Sequence, residues 1–299
     1  VPKKTAHPIL GAALWMFGAL FSFMAMALGG RETAAELSTF QILFFRSLVG
    51  LLLIVALLSY NGWGQVKSRR PGLHLLRNLA HFGGQYGWFY GIGFISLAEV
   101  FAIEFTVPVW TALAAVLLLG ERLNPSRIAA ILLGIAGVLI ILRPGIGLIS
   151  VAALAVLGGA FAYAISHTLT KKLTHDQSPL CILFYMTVVQ LPLAFVPSLA
   201  DWQWPSSYAW GWLVLLGVSA MSAHYCIARA FKLADATVVV PMDFLRLPLI
   251  AIVGFAFYGE NLDLWLLLGA VIIFTGTLIN IRGETRRVQS MAAAPRRGP

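Results

Sequence analysis

Charge is scarce in this sequence. Of 299 residues only 12 are acidic and 21 basic, 11% in all, against roughly a quarter in soluble domains. The deficit points away from a water-soluble fold and towards the membrane class. Cysteine is scarcer still. Cys181 and Cys226 lie inside apolar runs with no paired Cys or Cys/His spacing, which leaves no disulfide framework and no zinc site. Both read as small buried residues. No nucleotide-binding motif occurs, so the chain brings no ATPase of its own. A cleavable signal peptide is not evident either. The run from Ile9 follows Lys3 and Lys4, but it is of full transmembrane length and lacks a small-x-small cleavage site.

What the sequence has instead is apolar length. Hydrophobic residues make up 59%. A helix needs about 20 mostly apolar residues to cross a core of about 30 Å, and such runs recur with short gaps. The spacing predicts ten spans, at 8–29, 36–59, 73–95, 98–119, 126–143, 148–170, 179–199, 207–231, 236–258 and 262–281. Turn signals fill the gaps, among them Asn61-Gly62, Arg143-Pro144-Gly145 and Gly259-Glu260-Asn261. The runs do not alternate apolar and polar, so barrel strands are excluded.

The basic residues set the orientation. With the N-terminus inside, the inner segments hold Lys3, Lys4, Lys67, Arg69, Arg70, Arg77, Arg122, Arg127, Lys171, Lys172, Lys232, Arg282 and the basic tail. The outer segments hold only Arg31 and Arg143. One span more or fewer would scatter these charges over both sides. The net charge of +9 is therefore a topology signal and a lipid-facing inner surface, not a nucleic-acid footprint.

The two halves echo each other. Gly120-Glu121-x-Leu123 returns as Gly259-Glu260-x-Leu262, 139 residues on, and the same displacement carries Gly137 onto Gly276 and Arg143 onto Arg282. Leu97-Ala98-Glu99 is echoed by Leu233-Ala234-Asp235, displaced by 136. Five spans per half force the second copy to enter from the opposite side, the inverted repeat of secondary transporters. The organisation expected is an inner N-terminal tail over 1–7, a first five-helix repeat over 8–143, a second over 148–282, and a basic inner tail over 283–299.

The stretch from Phe89 to Gly145, with Leu97-Ala98, Pro108 and Gly120-Glu121-x-Leu123, resembles one copy of the EamA-type repeat of the drug/metabolite transporter superfamily. The stretch from Cys226 to Arg282, with Gly259-Glu260-x-Leu262, resembles the second copy, although Pro248 sits one position off the partner of Pro108. The resemblance implies ten helices, a central cavity, alternating access and often export of amino acids, other metabolites or drugs. Within the superfamily the chain is most similar to bacterial amino-acid exporters, including the YddG-type exporters of aromatic amino acids.

Ionisable residues inside apolar spans are expensive, so they face a cavity or a partner. Arg46, Glu104, Arg229, Asp243 and Arg246 stand out. Glu104 and Asp243 differ by 139 and so hold matching positions. Facing each other, they would share a proton or bind a cationic group. Asp243 and Arg246, three apart, share a helix face and can neutralise each other; internal ion pairs holding the bundle are the competing reading. Arg229, three before Lys232, snorkels to the inner surface. Asn78, His81, Gln85 and Trp88 form one stripe at helical spacing, flanked by Tyr86 and Tyr90, and suit the wall of a wet cavity or a hydrogen-bonded helix interface. Tyr163 and His167, and separately His224, extend this set. Trp15 and Trp110 lie deep enough to line it. Trp202, Trp204, Trp210 and Trp212 read as interface anchors. Pro108, Pro241 and Pro248 each remove a backbone donor inside a span, which predicts bends in the fourth and ninth helices, as gating elements or as packing kinks.

The expectation is an all-α membrane protein of the cell inner membrane, a secondary transporter of small metabolites. Amino acids head the list of solutes, aromatic or other large neutral ones among them. Arg46 or Arg246 would attract a substrate carboxylate, and Glu104 or Asp243 an ammonium or a proton. Partners are the solute, the lipid bilayer and protons as candidate coupling ion, with the chain a monomer or weak dimer. No cofactor, metal or nucleic acid is expected. An intramembrane enzyme using the acid pair with His81 or His224, and a passive channel, are the competing classes.

Overall fold

The computed structural model describes residues 6–111, 113, 124–143, 150–173, 176–233, 242–261 and 263–293. The described residues form ten α-helices, a further helical segment that starts at 107, two short 3-10 turns and no strand. The helices are α1 (Ala6–Ala34), α2 (Thr39–Asn61), α3 (Pro71–Phe94), α4 (Leu97–Glu104), α5 (Pro125–Leu142), α6 (Val151–Leu173), α7 (Pro179–Ser198), α8 (Ser207–Leu233), α9 (Arg246–Tyr258) and α10 (Leu264–Ala293). Starts are written locally. Ser38, Ser96, Asn124 and Ser178 each accept a hydrogen bond from the backbone N–H three residues on, satisfying a donor left over in the first turn. Pro71, Pro125 and Pro179 stand where a missing N–H costs nothing.

Seven helices, α1, α2, α5, α6, α7, α8 and α10, are long and apolar enough to cross a membrane. The chain is thus a multi-pass membrane protein. α3 has the length at 24 residues, but its inward polar stripe lowers its apolarity. α4 and α9 are short, and here the structure corrects the sequence. The span expected over 98–119 is interrupted: α4 ends at Glu104, residues 105–106 form a turn, and helix resumes at 107. The expected ninth span likewise turns at 244–245 before α9. Pro108 and Pro248 are not mid-helix kinks but lie in the first turn after each break. Neither can donate to the carbonyl four residues back, at Glu104 and Phe244, so the helix opens there. Pro241, the 120–123 motif and Ala234-Asp235 lie outside the described residues.

Helices from the two halves pair reciprocally. α1 packs on α8 and α3 on α6, while α2 meets α7, α4 meets α9 and α5 meets α10. Numbering each half one to five, one meets three, three meets one, and two, four and five meet their own counterparts, as a two-fold axis gives. Individual contacts repeat the pattern. Phe105 and Phe244, 139 apart, stack with centroids 4.2 Å apart and planes at 15°. Gly137 lies so close to Gly269 that a Cβ there would sit 2.7 Å from the Gly269 carbonyl oxygen. Gly276 approaches Ala130 in the same way, with 3.2 Å to the Ala130 carbonyl. Adding or subtracting 139 converts the first contact into the second. Small residues permit such approach where lipid gives no hydrophobic drive. α4 lies at the core, with Leu97, Ala98 and Val100 through Ile103 all buried.

Candidate functional site

The break after α4 and the break before α9 bring their polar ends together. Arg246 donates to Asp243 Oδ2 at 2.7 Å and pairs with Glu104 Oε1 at 3.5 Å. Trp88 Nε1 donates to the other Glu104 oxygen at 2.8 Å. The Arg246 guanidinium also lies over Phe23 and Phe105, 4.3 and 5.1 Å from their ring centres. Aromatic faces and carboxylates both favour a cation, which makes its burial tolerable. The sequence expected two acids facing each other; the structure puts Arg246 between them. Two carboxylates and one guanidinium still carry a formal surplus of one negative charge, and Asp243 Oδ1 is buried without a hydrogen-bond partner.

A second polar chain runs beside this triad. The Gln85 amide accepts from both Nη atoms of Arg46 at 2.7 and 2.9 Å and donates to Gln190 Oε1 at 2.8 Å, an orientation set by its neighbours. Gln190 Nε2 lies 2.9 Å from His81 Nδ1. The His81 ring meets Tyr163 edge-on at 5.4 Å and His224 at 6.0 Å. Asn78, His81, Gln85 and Trp88 all point inward and are buried, as their spacing indicated.

Arg77 was counted only as an inner-side topology charge; it is buried in α3, donating to Thr170 Oγ1 at 3.0 Å and Asn78 Oδ1 at 2.7 Å. Its spacing of four and eight residues from His81 and Gln85 would have placed it on their stripe. Gln190 was also missed; a lone amide in the apolar run of α7 was its signal.

On α6, Val156, Ala160 and Ala164 are buried while Leu154 and Phe161 are exposed. His167 continues the buried face, seven residues beyond Ala160, yet is exposed. An inward-pointing side chain that remains accessible faces a hollow in the bundle. Tyr163 stacks above it at 6.1 Å. The Glu104 and Asp243 side chains likewise keep 17% and 24% of their surface accessible.

Three expected wall residues lie elsewhere. Trp15 meets Tyr225 edge-on and carries the exposed Arg229 over its face at 5.0 Å; Arg229 and Tyr225 sit on the outward face of α8, fitting a snorkelling cation. Tyr86 packs on Phe40 at 4.7 Å and Tyr90 at 6.1 Å. Trp110 bonds Thr106 and lines an apolar cavity of about 100 Å³ with Gly134 and Leu157. All three keep to apolar or peripheral surroundings, as amphipathic rings do when packing area outweighs a polar contact.

One end of the bundle is bonded across its halves. Gly259 closes α9 in the left-handed region, φ 62°, and the Glu260 N–H reaches back to the Gly254 carbonyl at 3.1 Å. The Glu260 carboxylate then accepts from the Leu97 N–H at 3.0 Å, at the start of α4, and from Arg31 at 2.9 Å. An acid suits a helix N-terminus. Glu32 accepts from Tyr208 and Tyr258, both at 2.6 Å, Glu36 from Ser206, and Arg143 pairs with Asp263.

A multi-pass helical bundle with ionisable groups gathered at its centre, closed at one end, belongs to the polytopic carriers in general form. Comparison with known proteins is more specific. The profile of the EamA-like transporter family matches twice, over residues 10–143 and 150–282, and the chain belongs to that family. Among relatives, an "S-adenosylmethionine uptake transporter" of Rickettsia prowazekii (strain Madrid E) is 27% identical, over 94% of this chain and 96% of its own. A "Riboflavin transporter" of Rhizobium johnstonii (strain DSM 114642 / LMG 32736 / 3841) is 30% identical, over 97% and 86%. A "Pseudopaline exporter CntI" of Pseudomonas aeruginosa (strain UCBPP-PA14) is 29% identical, over 85% and 90%. A solved chain titled "Crystal structure of protein" shares the fold, with TM-score 0.62 at 20% identity, over 90% of this chain and 95% of that one. The three named relatives are transporters rather than enzymes. None of the three is named as an amino-acid exporter, so the YddG-type resemblance finds no support among them.

Proposed function

We propose that this protein is a secondary transporter that moves small metabolites with an amino-acid head group across a bacterial inner membrane by alternating access. Its ten spans would form two inverted five-helix repeats, 8–143 and 148–282, with both tails, 1–7 and 283–299, on the cytoplasmic side. The reciprocal pairing of helices and the Phe105–Phe244 stack support the inversion. The skew of basic residues supports the orientation, which places the bonded end outside and the accessible His167 towards the cytoplasm.

The carrying observation is the Glu104–Arg246–Asp243 group beside the two-fold stack. Its surplus negative charge and the free Asp243 Oδ1 fit a substrate ammonium or a proton. Phe23, Trp88, Phe105 and Tyr163 supply apolar area for a side chain of some size. Relatives are named for both uptake and export, so export is proposed from the family resemblance alone. An intramembrane enzyme is the less favoured reading, because the named relatives are transporters.

The test is counterflow in proteoliposomes. The full chain is supplied with aromatic and aliphatic amino acids, S-adenosylmethionine and riboflavin, with and without a pH gradient. Saturable exchange that drops about tenfold or more in Asp243→Asn is expected. Product formation in detergent, or non-saturating flux, would replace the reading with an enzyme or a channel.

A further inference from the structure

Arg46 and Arg77 are nearly enclosed, at 5% and 6% exposure. Among the described residues neither has a carboxylate at ion-pair distance. Their hydrogen bonds run to neutral groups only: Gln85 for Arg46, and Thr170 and Asn78 for Arg77. Both acids of the central triad are engaged by Arg246 instead. Around the two guanidiniums several polar atoms are buried without partners: Arg46 Nε, Asn78 Nδ2, and Ser166 Oγ, one turn from the Thr170 that bonds Arg77. Tyr163 and His224 stand within electrostatic reach of both arginines. Isolated buried cations are strongly unfavourable, more so between apolar helices, and orphaned polar atoms in a native interior ask for a reason.

We propose that Arg46 and Arg77 form an oxyanion subsite that receives a carboxylate or phosphate group of the transported solute. The reading rests on the transporter assignment and deepens it. Of the two cations the sequence offered for a substrate carboxylate, it keeps Arg46, sets aside Arg246, which is neutralised, and adds Arg77. Guanidinium forks suit planar and tetrahedral oxyanions alike. Gln85, Asn78 and Thr170 hold the two forks in place without cancelling their charge. A solute with an ammonium at one end and an oxyanion at the other would span from Asp243 to this pair.

The experiment is thermal melting of the full chain in detergent, titrated with sodium succinate, sodium phosphate and sodium chloride at equal ionic strength. Succinate or phosphate raises the melting temperature saturably and chloride does not. Stabilisation by succinate alone assigns a carboxylate, and by phosphate alone a phosphate ester. Arg46→Gln and Arg77→Gln each weaken the response about tenfold or more, whereas Arg70→Gln, in an exposed pair with Asp176, leaves it unchanged. Should the glutamine variants not fold, Arg46→Lys and Arg77→Lys are read in their place; they keep the charge, lose the fork and bind more weakly. The proposal is overturned if neither oxyanion acts on the wild type, or if the variants respond as it does. Solute counterflow without any oxyanion response sinks this subsite and leaves the transporter standing; an oxyanion response without flux does the reverse.

Discussion

Glu260 offers the sharpest test, because its one carboxylate ties the halves together through two donors, the Arg31 guanidinium and the Leu97 N–H. Replacing it by glutamine removes the charge-assisted bonds to Arg31 at 2.9 Å and weakens that to the Leu97 N–H. The pair is largely enclosed, with 21% and 14% of the two side chains accessible, so solvent screens it only in part. Hydrogen bonds to charged groups contribute about 1.5–3 kcal/mol. Their loss should shift the balance between closed and open states of this end about 10- to 100-fold. The reporter is a cysteine at Ala98, on the first turn of α4 and 7% exposed, beside the cavity of about 90 Å³ that Glu99, Arg143 and Asp263 line. Membrane-impermeant maleimide should label Ala98→Cys faster by that factor in the Glu260→Gln background. Cys181 and Cys226, both buried, set the background in the chain without the reporter. Equal labelling rates in the two backgrounds would refute the idea that Glu260 holds this end shut.

Gly137→Val should disrupt the α5–α10 contact, since Ile273 and the Gly269 carbonyl occupy the space a side chain needs; overpacking of this kind costs about 1–3 kcal/mol, read as a lower melting temperature in detergent. Trp88→Phe keeps the ring but removes the bond to Glu104, and should lower solute exchange by a few-fold to about tenfold with folding intact, read from flux and melting together. Arg229→Gln acts on an exposed cation at the outward face, and should leave flux within about twofold and stability within about 0.5 kcal/mol.

The helices were legible because hydrocarbon demands long apolar runs, and the cluster of Glu104, Asp243 and Arg246 because charge has no other business there. What escaped was set by backbone breaks and by depth. The turn at Phe105 and Thr106 was hidden by apolar composition, although Pro108 marked its neighbourhood. Arg77 lay near the end of a span, where a basic residue counts towards topology, and that reading masked the spacing that puts it on the inward stripe with His81. Trp15 and Tyr86 were misplaced for the opposite reason. An aromatic residue serves equally well in a cavity wall, a helix seam or a lipid-facing surface, so its identity carries little about direction. Glu260 appeared as half of a repeated dipeptide. That its side chain caps a helix of the other half is a long-range fact that no local pattern contains.

The stacked Phe105 and Phe244 have a mechanical consequence. Exchange of the roles of the two halves leaves each ring with the same neighbour, so in the proposed alternating-access carrier this stack is where a rocking motion would pivot with little loss of contact. Perfect equivalence of the halves would make the two orientations of such a rocker equal in energy. The halves are not equivalent at this point, because the position 139 residues before Arg246 is Val107, so in the proposed carrier the cation would be one source of a difference in energy between the two orientations.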